Sequence, residues 1–159
     1  MENSYGLEPL AVVAKYQTVL PVNLDMIAHD LGIRVFDKPL GSNISGMLIR
    51  DHINGGTSGF AIFLNFDHAP NRKRFTFAHE LAHFILHRDL IESGLTDDTM
   101  YRSELSNVYE VQANRMAADI LMPIRLVKIH RADKSPQDLA RLFGVSEAAM
   151  KIRLEGVKA

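Results

Sequence analysis

The residues best equipped for chemistry lie between Arg72 and Arg88, in the run Arg-Lys-Arg-Phe-Thr-Phe-Ala-His-Glu-Leu-Ala-His-Phe-Ile-Leu-His-Arg. Its centre, His79-Glu80-Leu81-Ala82-His83, fits the pattern H-E-x-x-H. On a helix, positions four apart share a face and are separated by an axial rise of about 6 Å. Two imidazoles so placed can converge on one zinc ion, and Glu80 stands beside them as a group that could take a proton from water. The pattern also arises by chance in roughly one or two chains per hundred of this length, so a pair of satisfied core histidines is the competing reading. Burial weighs against it. Phe75, Phe77, Ala78, Leu81, Ala82, Phe84, Ile85 and Leu86 spread apolar surface nearly all round the segment, as a buried helix requires. Polar side chains carried inside on such a helix are costly without partners, and a metal is the most economical partner.

Two histidines need a third protein ligand. The chain has no cysteine, which removes thiolate ligands, disulfides and cysteine nucleophiles and leaves histidine and carboxylates. His87 continues the spacing of four, but it lies about 12 Å along the axis from His79, too far for both to reach one ion at about 2 Å. It reads instead as a helix-end residue or as a group that steadies a ligand. Glu110 is better placed. It opens a helical stripe with Ala113, Asn114, Ala117 and Leu121, in which small alanines let a second helix come close. The alternative for Glu110 is a capping box with Asn107 as the cap. Asn114, one turn further on, is suited to hold a ligating histidine through its second ring nitrogen, unless it is simply a polar helix residue.

Several elements must position these groups. At 159 residues the chain is long enough for one domain with a sizeable core. Its 47% hydrophobic and 23% charged residues are those of a soluble globular protein. A net charge of -1 gives no sign of a strong polyanion binder. No basic leader or membrane-length apolar run occurs, so a cytoplasmic protein without a membrane partner is expected. Leu7 to Leu20 reads as a helix with Pro9 in its first turn, and a short helix capped by Asn23 runs to Gly32. Strands are expected at 33–36, 45–50 and 60–66, giving an α+β fold whose small, mostly antiparallel three-stranded sheet packs on helices. Pro70 then opens the central helix. Residues 88–104 read as a loop, Ser106 to Leu121 as a helix stopped by Pro123, and Ile124 to His130 as a short basic helix. Ser135-Pro136, Gly144 and Ser146 punctuate a final helix pair.

Arg74 to His87, followed by Glu110-Val-Gln-Ala-Asn-Arg-Met-Ala-Ala-Asp-Ile-Leu-Met-Pro123, resembles the ImmA/IrrE family of zinc metallo-endopeptidases. The upstream run Pro21 to Ile33, Ser45-Gly-Met47, Ile62 to Asn65 and the downstream run Leu139 to Ser146 agree, so the resemblance covers roughly residues 21–155. Met116 departs from it mildly, standing where the family often has Phe. The resemblance implies a gluzincin-like, zincin-type domain in which Zn2+ is held by His79, His83 and Glu110, with Glu80 as the catalytic base. It also implies a narrow substrate, a helix-turn-helix repressor or antitoxin, rather than digestive proteolysis. A toxin-like or sensor module bound by such a repressor without cleaving it is the alternative.

An extended peptide substrate is expected to pair with a sheet edge, taken to be the 60–66 strand. Tyr101, Tyr109 and His52 are candidate donors to the oxyanion. The pattern Leu139-Ala140 to Gly144-Val145-Ser146 fits a helix-turn-helix, which raises DNA binding through 136–155 as a further alternative. Its second helix sets Lys151 and Arg153 against Glu147 and Glu155, poor electrostatics for a phosphate backbone. Residues 132–159 are therefore expected to close a single 1–159 metallopeptidase domain, with direct DNA binding disfavoured.

Overall fold

The run Phe60–Asn65 is apolar until its last residue, and all six of its residues are buried. That composition belongs to a strand flanked on both sides, and in the computed structural model, which describes residues 8–92 and 106–157, it is the middle strand. The elements in chain order are α1 (Pro9–Lys15), α2 (Leu24–Asp30), β1 (Ile33–Lys38), β2 (Gly46–Arg50), β3 (Phe60–Asn65), α3 (Pro70–Glu92), α4 (Ser106–Leu121), α5 (Ile124–His130), α6 (Pro136–Phe143) and α7 (Glu147–Glu155). The architecture is α+β.

The sheet order is β1-β3-β2, and the sheet is mixed, not mostly antiparallel. β2 and β3 form the expected hairpin, with Leu48 opposite Ile62. β1 joins the far side of β3 and runs parallel to it, with Val35 opposite Ile62. Alternation in sequence reports which face of a strand is buried but not which neighbour it pairs with. The same observation corrects the expected substrate strand: β3 is central, and the outer strand beside the candidate site is β2.

The helices cover this sheet. Ile62, Leu64 and Leu48 meet Phe77, Ala78, Leu81 and Phe84 of α3, and the same core continues through Ala117, Ile120 and Leu121 of α4 to Leu139, Phe143, Val145 and Met150. Each large side chain fully buried here contributes about 1.5–3 kcal/mol, against about 1 kcal/mol for a helix cap. Packing therefore fixes the placement of α3 and α4, and the caps fix where helices begin. Asn23, Ser135 and Ser146 each accept a backbone N–H from three residues on. Gly144 ends α6 in the left-handed region at φ 69°, where a side chain would also meet Arg74.

Two helix boundaries differ most from the sequence expectation. α1 ends at Lys15 rather than near Leu20, because the next residues are used elsewhere. The Tyr16 hydroxyl donates to Asp30, and the Gln17 amide donates to the carbonyls of Asp119 and Ile120 at the end of α4. α3 continues to Glu92, so residues 88–92 are helix. The rest of the expected 88–104 loop, beyond Glu92, lies outside the described residues, as does Tyr101.

A buried asparagine joins the sheet to the site. Asn65 is 0% exposed, and its amide donates to the carbonyls of Gly41 at 2.6 Å and Ile44 at 2.8 Å. Its Oδ1 accepts from the Asp67 amide at 2.9 Å, which shapes the turn into α3. One side chain thus fastens both the segment leading into β2 and the approach to the central helix. At Gly46 a Cβ would fall 2.6 Å from Thr76 Cγ2 and 2.8 Å from the Phe63 carbonyl, so glycine lets β2 lie against α3 at that point.

Candidate metal centre

His79, Glu80 and His83 lie on the buried stretch of α3 that packs against α4, and Glu110 enters from the first turns of α4. His79 Nε2 is 3.1 Å from Glu110 Oε2, and His83 Nε2 is 2.9 Å from Glu110 Oε1. The two imidazoles meet edge to face, with centroids 4.6 Å apart. One donor atom from each of His79, His83 and Glu110 lies within 4.8 Å of the others. Asn107 lies inside α4, and the Glu110 carboxylate meets the imidazoles, the geometry of a shared centre rather than of a capping box. Burial pushes the Glu110 carboxyl up, but the hydrogen bonds and charges of His79 and His83 outweigh it and hold the group at about 2.

The partners behind the imidazoles test whether a metal fits. His79 Nδ1 is 2.9 Å from Asn114 Oδ1, an acceptor, so Nδ1 carries the hydrogen and donates it. In the tautomer whose only hydrogen is on Nδ1, Nε2 is a lone pair facing the carboxylate, the form in which the two could hold a cation between them; a doubly protonated ring would donate to Glu110 instead. Donor separations of 2.9 and 3.1 Å are a few tenths of an ångström shorter than the roughly 3.3 Å expected between ligands of a tetrahedral ion with bonds of about 2 Å. Nitrogen and carboxylate donors suit zinc. The set fits the ion.

Glu80 is 1% exposed yet borders a cleft of about 440 Å³, together with His79, Glu110, Phe75, Thr76 and residues 43–46. A carboxylate beside the centre and facing the cleft is placed to handle a proton of a bound substrate or water. His87, 3% exposed, lies behind His83, with the two Nδ1 atoms 2.9 Å apart. Its Nε2 is 2.8 Å from Gln112 Oε1, and the Tyr109 ring lies 4.8 Å from its own. Neither Tyr109 nor His52 lines the cleft; His52 sits by Gly59 in the β2–β3 connection.

Gln112 is a further member of this network that the sequence pattern does not single out. Its signal is faint: Tyr109 and Gln112 are three apart and share one face of α4, while Glu110 and Asn114, four apart, share another. The second face serves His79 and the centre, and the first serves His87.

The helix pair at the C-terminal end uses its charges differently. Arg153 donates from Nε and Nη2 to the Met122 carbonyl at 3.0 and 2.7 Å, and from Nη2 to Asp119 at 2.9 Å. The arginine that a nucleic-acid reading would offer to phosphate is held at the end of α4.

Comparison with known proteins bears on the family and the fold. The model of a peptidase family, the IrrE N-terminal-like domain, matches residues 28–155. No curated protein matches the sequence. Among solved structures the chain is similar to a Mycobacterium tuberculosis transcriptional regulator, with TM-score 0.57 and 21% identity over 92% of this chain and 46% of that one. The chain spans about half the length of that regulator, and at this identity the likeness is one of fold. Among the described residues, no helix is long and apolar enough to cross a membrane.

Proposed function

This chain belongs to the Peptidase_M78 family of IrrE N-terminal-like domains, and on that premise we propose that it is a zinc-dependent endopeptidase acting on a regulatory protein in the cytoplasm. The observation that carries the reading is the convergence of His79 Nε2, His83 Nε2 and the Glu110 carboxylate beside Glu80 in an open cleft. His79, His83 and Glu110 would hold the ion. When bound, zinc supplies a Lewis acid that activates water and polarises the scissile carbonyl.

The protein's own residues do the rest. Glu80 accepts the proton of the attacking water and delivers it to the leaving amine. Asn114 keeps the His79 ring turned with Nε2 forward. An extended peptide lies against residues 43–46 at the start of β2, and Asn65 holds that segment in place from behind. Ile44 and Phe75 give the cleft apolar surface for a substrate side chain.

The resemblance to repressor-cleaving enzymes and the fold likeness to a transcriptional regulator favour a helix-turn-helix repressor or antitoxin as substrate. In this reading residues 132–159 are a closing element of the one domain, consistent with Leu139, Phe143, Val145 and Met150 sharing its core. Tethering of Arg153 disfavours the DNA-binding alternative.

The test uses the Glu80→Gln variant, because an amide is not a base at neutral pH. Zinc-loaded wild type, incubated with helix-turn-helix regulators of its own genome, should cut one of them into two fragments, and a chelator should stop the cut. Glu80→Gln should retain zinc, bind the same regulator and leave it whole. If both forms bind a regulator equally and neither cuts, a metal-supported binding or toxin module replaces the endopeptidase.

A further inference from the structure

Each candidate ligand histidine is held from behind, but in different ways. His79 Nδ1 meets an amide oxygen directly. His83 Nδ1 meets another histidine, and an imidazole nitrogen can be donor or acceptor. The His83–His87 contact alone therefore leaves the hydrogen's position open: one Nδ1 must carry it and the other must not. Gln112 resolves the choice. Its Oε1 lies 2.8 Å from His87 Nε2, so that nitrogen carries a hydrogen and donates it. With both rings neutral, the state in which His83 can bind a metal, His87 Nδ1 is then an acceptor, His83 Nδ1 is the donor, and His83 Nε2 is left bare toward Glu110 and the centre.

We infer that Gln112, acting through His87, is a positioning residue that selects the tautomer of His83 able to bind metal; this rests on the metal reading above. With the Gln112 amide turned over, its NH2 would donate to His87 Nε2, His87 Nδ1–H would donate to His83 Nδ1, and His83 Nε2 would carry a hydrogen facing Glu110. That orientation blocks one ligand without moving the backbone. One exposed side chain on α4 thus decides the ligand competence of a residue that is 0% exposed on α3.

The test measures zinc affinity of the full-length chain by competition with a chromogenic chelator, alongside nitrogen-15 spectra of its ring-labelled histidines. In zinc-loaded wild type, His83 should carry its hydrogen on Nδ1, and His87 on Nε2 with Nδ1 bare. Removing a residue that orients a metal ligand typically weakens binding about 10- to 100-fold. Gln112→Leu should lie near the tenfold end, because water at this exposed position can accept part of the lost bond. Gln112→Glu should retain wild-type affinity, since an ionised carboxylate can only accept. A zinc-loaded spectrum with the hydrogen on His87 Nδ1, or equal affinity in Gln112→Leu and wild type, would overturn the inference. Failure of wild type to bind zinc removes the metal reading and the inference with it. Normal binding by wild type with no response to Gln112 removes the inference alone.

Discussion

Two helix pairs in this molecule handle polar groups in opposite ways. Between α3 and α4, His79, His83 and Glu110 turn their donor atoms toward one another, 2.9 and 3.1 Å apart, a set that could hold one metal ion. Between α6 and α7 the polar groups are satisfied where they stand. Ser135 and Ser146 cap their helices, Arg141 reaches Asp138, and Arg153 closes the end of α4. Beneath them lie Leu139, Phe143, Val145 and Met150. The candidate centre is recognised here not by the number of charged residues but by donor atoms from two helices that converge on one point beside a cleft.

The largest expected effect comes from emptying the first pair. His79→Ala and His83→Ala should each lose the bound ion, as elemental analysis would show, and with it all hydrolysis. Glu110→Gln exchanges an anionic oxygen for a neutral one and should weaken zinc markedly while leaving the fold intact. Full metal content in both histidine variants would erase the distinction between the two pairs.

How much of this was legible in advance follows the same division. The motif on α3, the stripe on α4 and the caps at Asn23, Ser135 and Ser146 are local patterns, and local spacing in a helix fixes geometry to within an ångström or so. The parallel pairing of β1 with β3 was not legible, nor was the central place of β3, because strand periodicity carries no information on neighbours. Gln112 escaped for a related reason. Its importance lies in a contact with His87, 25 residues away in the chain, and a lone glutamine on a helix has no pattern to reveal it.

A smaller effect belongs to Asn65, which lies in neither pair but shapes the cleft that the first one serves. Asn65→Leu removes two donated hydrogen bonds from the 41–44 segment and should destabilise the fold by about 2–3 kcal/mol. The ligands stand on α3 and α4, so zinc affinity should hold while KM rises. A chemical denaturation curve and a zinc titration on the same variant separate these outcomes. Loss of zinc together with stability would mean that the sheet, and not only the helices, organises the centre.

The smallest effect tests the second pair. Arg153→Met keeps the aliphatic stem but removes the bonds to the Met122 carbonyl and Asp119. With Asp119 60% exposed, the ion pair is screened, and the loss should be about 1–2 kcal/mol, most of it from the uncapped carbonyl. Asp119 is nine residues beyond Glu110, about 13 Å along α4, so zinc affinity and hydrolysis should not change at a temperature where the variant is folded. The same tether predicts how the full-length chain treats DNA. With Arg153 held at the end of α4, Lys151 stands one turn from both Glu147 and Glu155 on a helix that has no spare arginine for phosphate. Duplex binding should therefore be weak and indifferent to sequence. Tight, sequence-specific binding that falls steeply with salt would show that α6 and α7 also have a complement outside the protein, and the contrast between the two pairs would no longer hold.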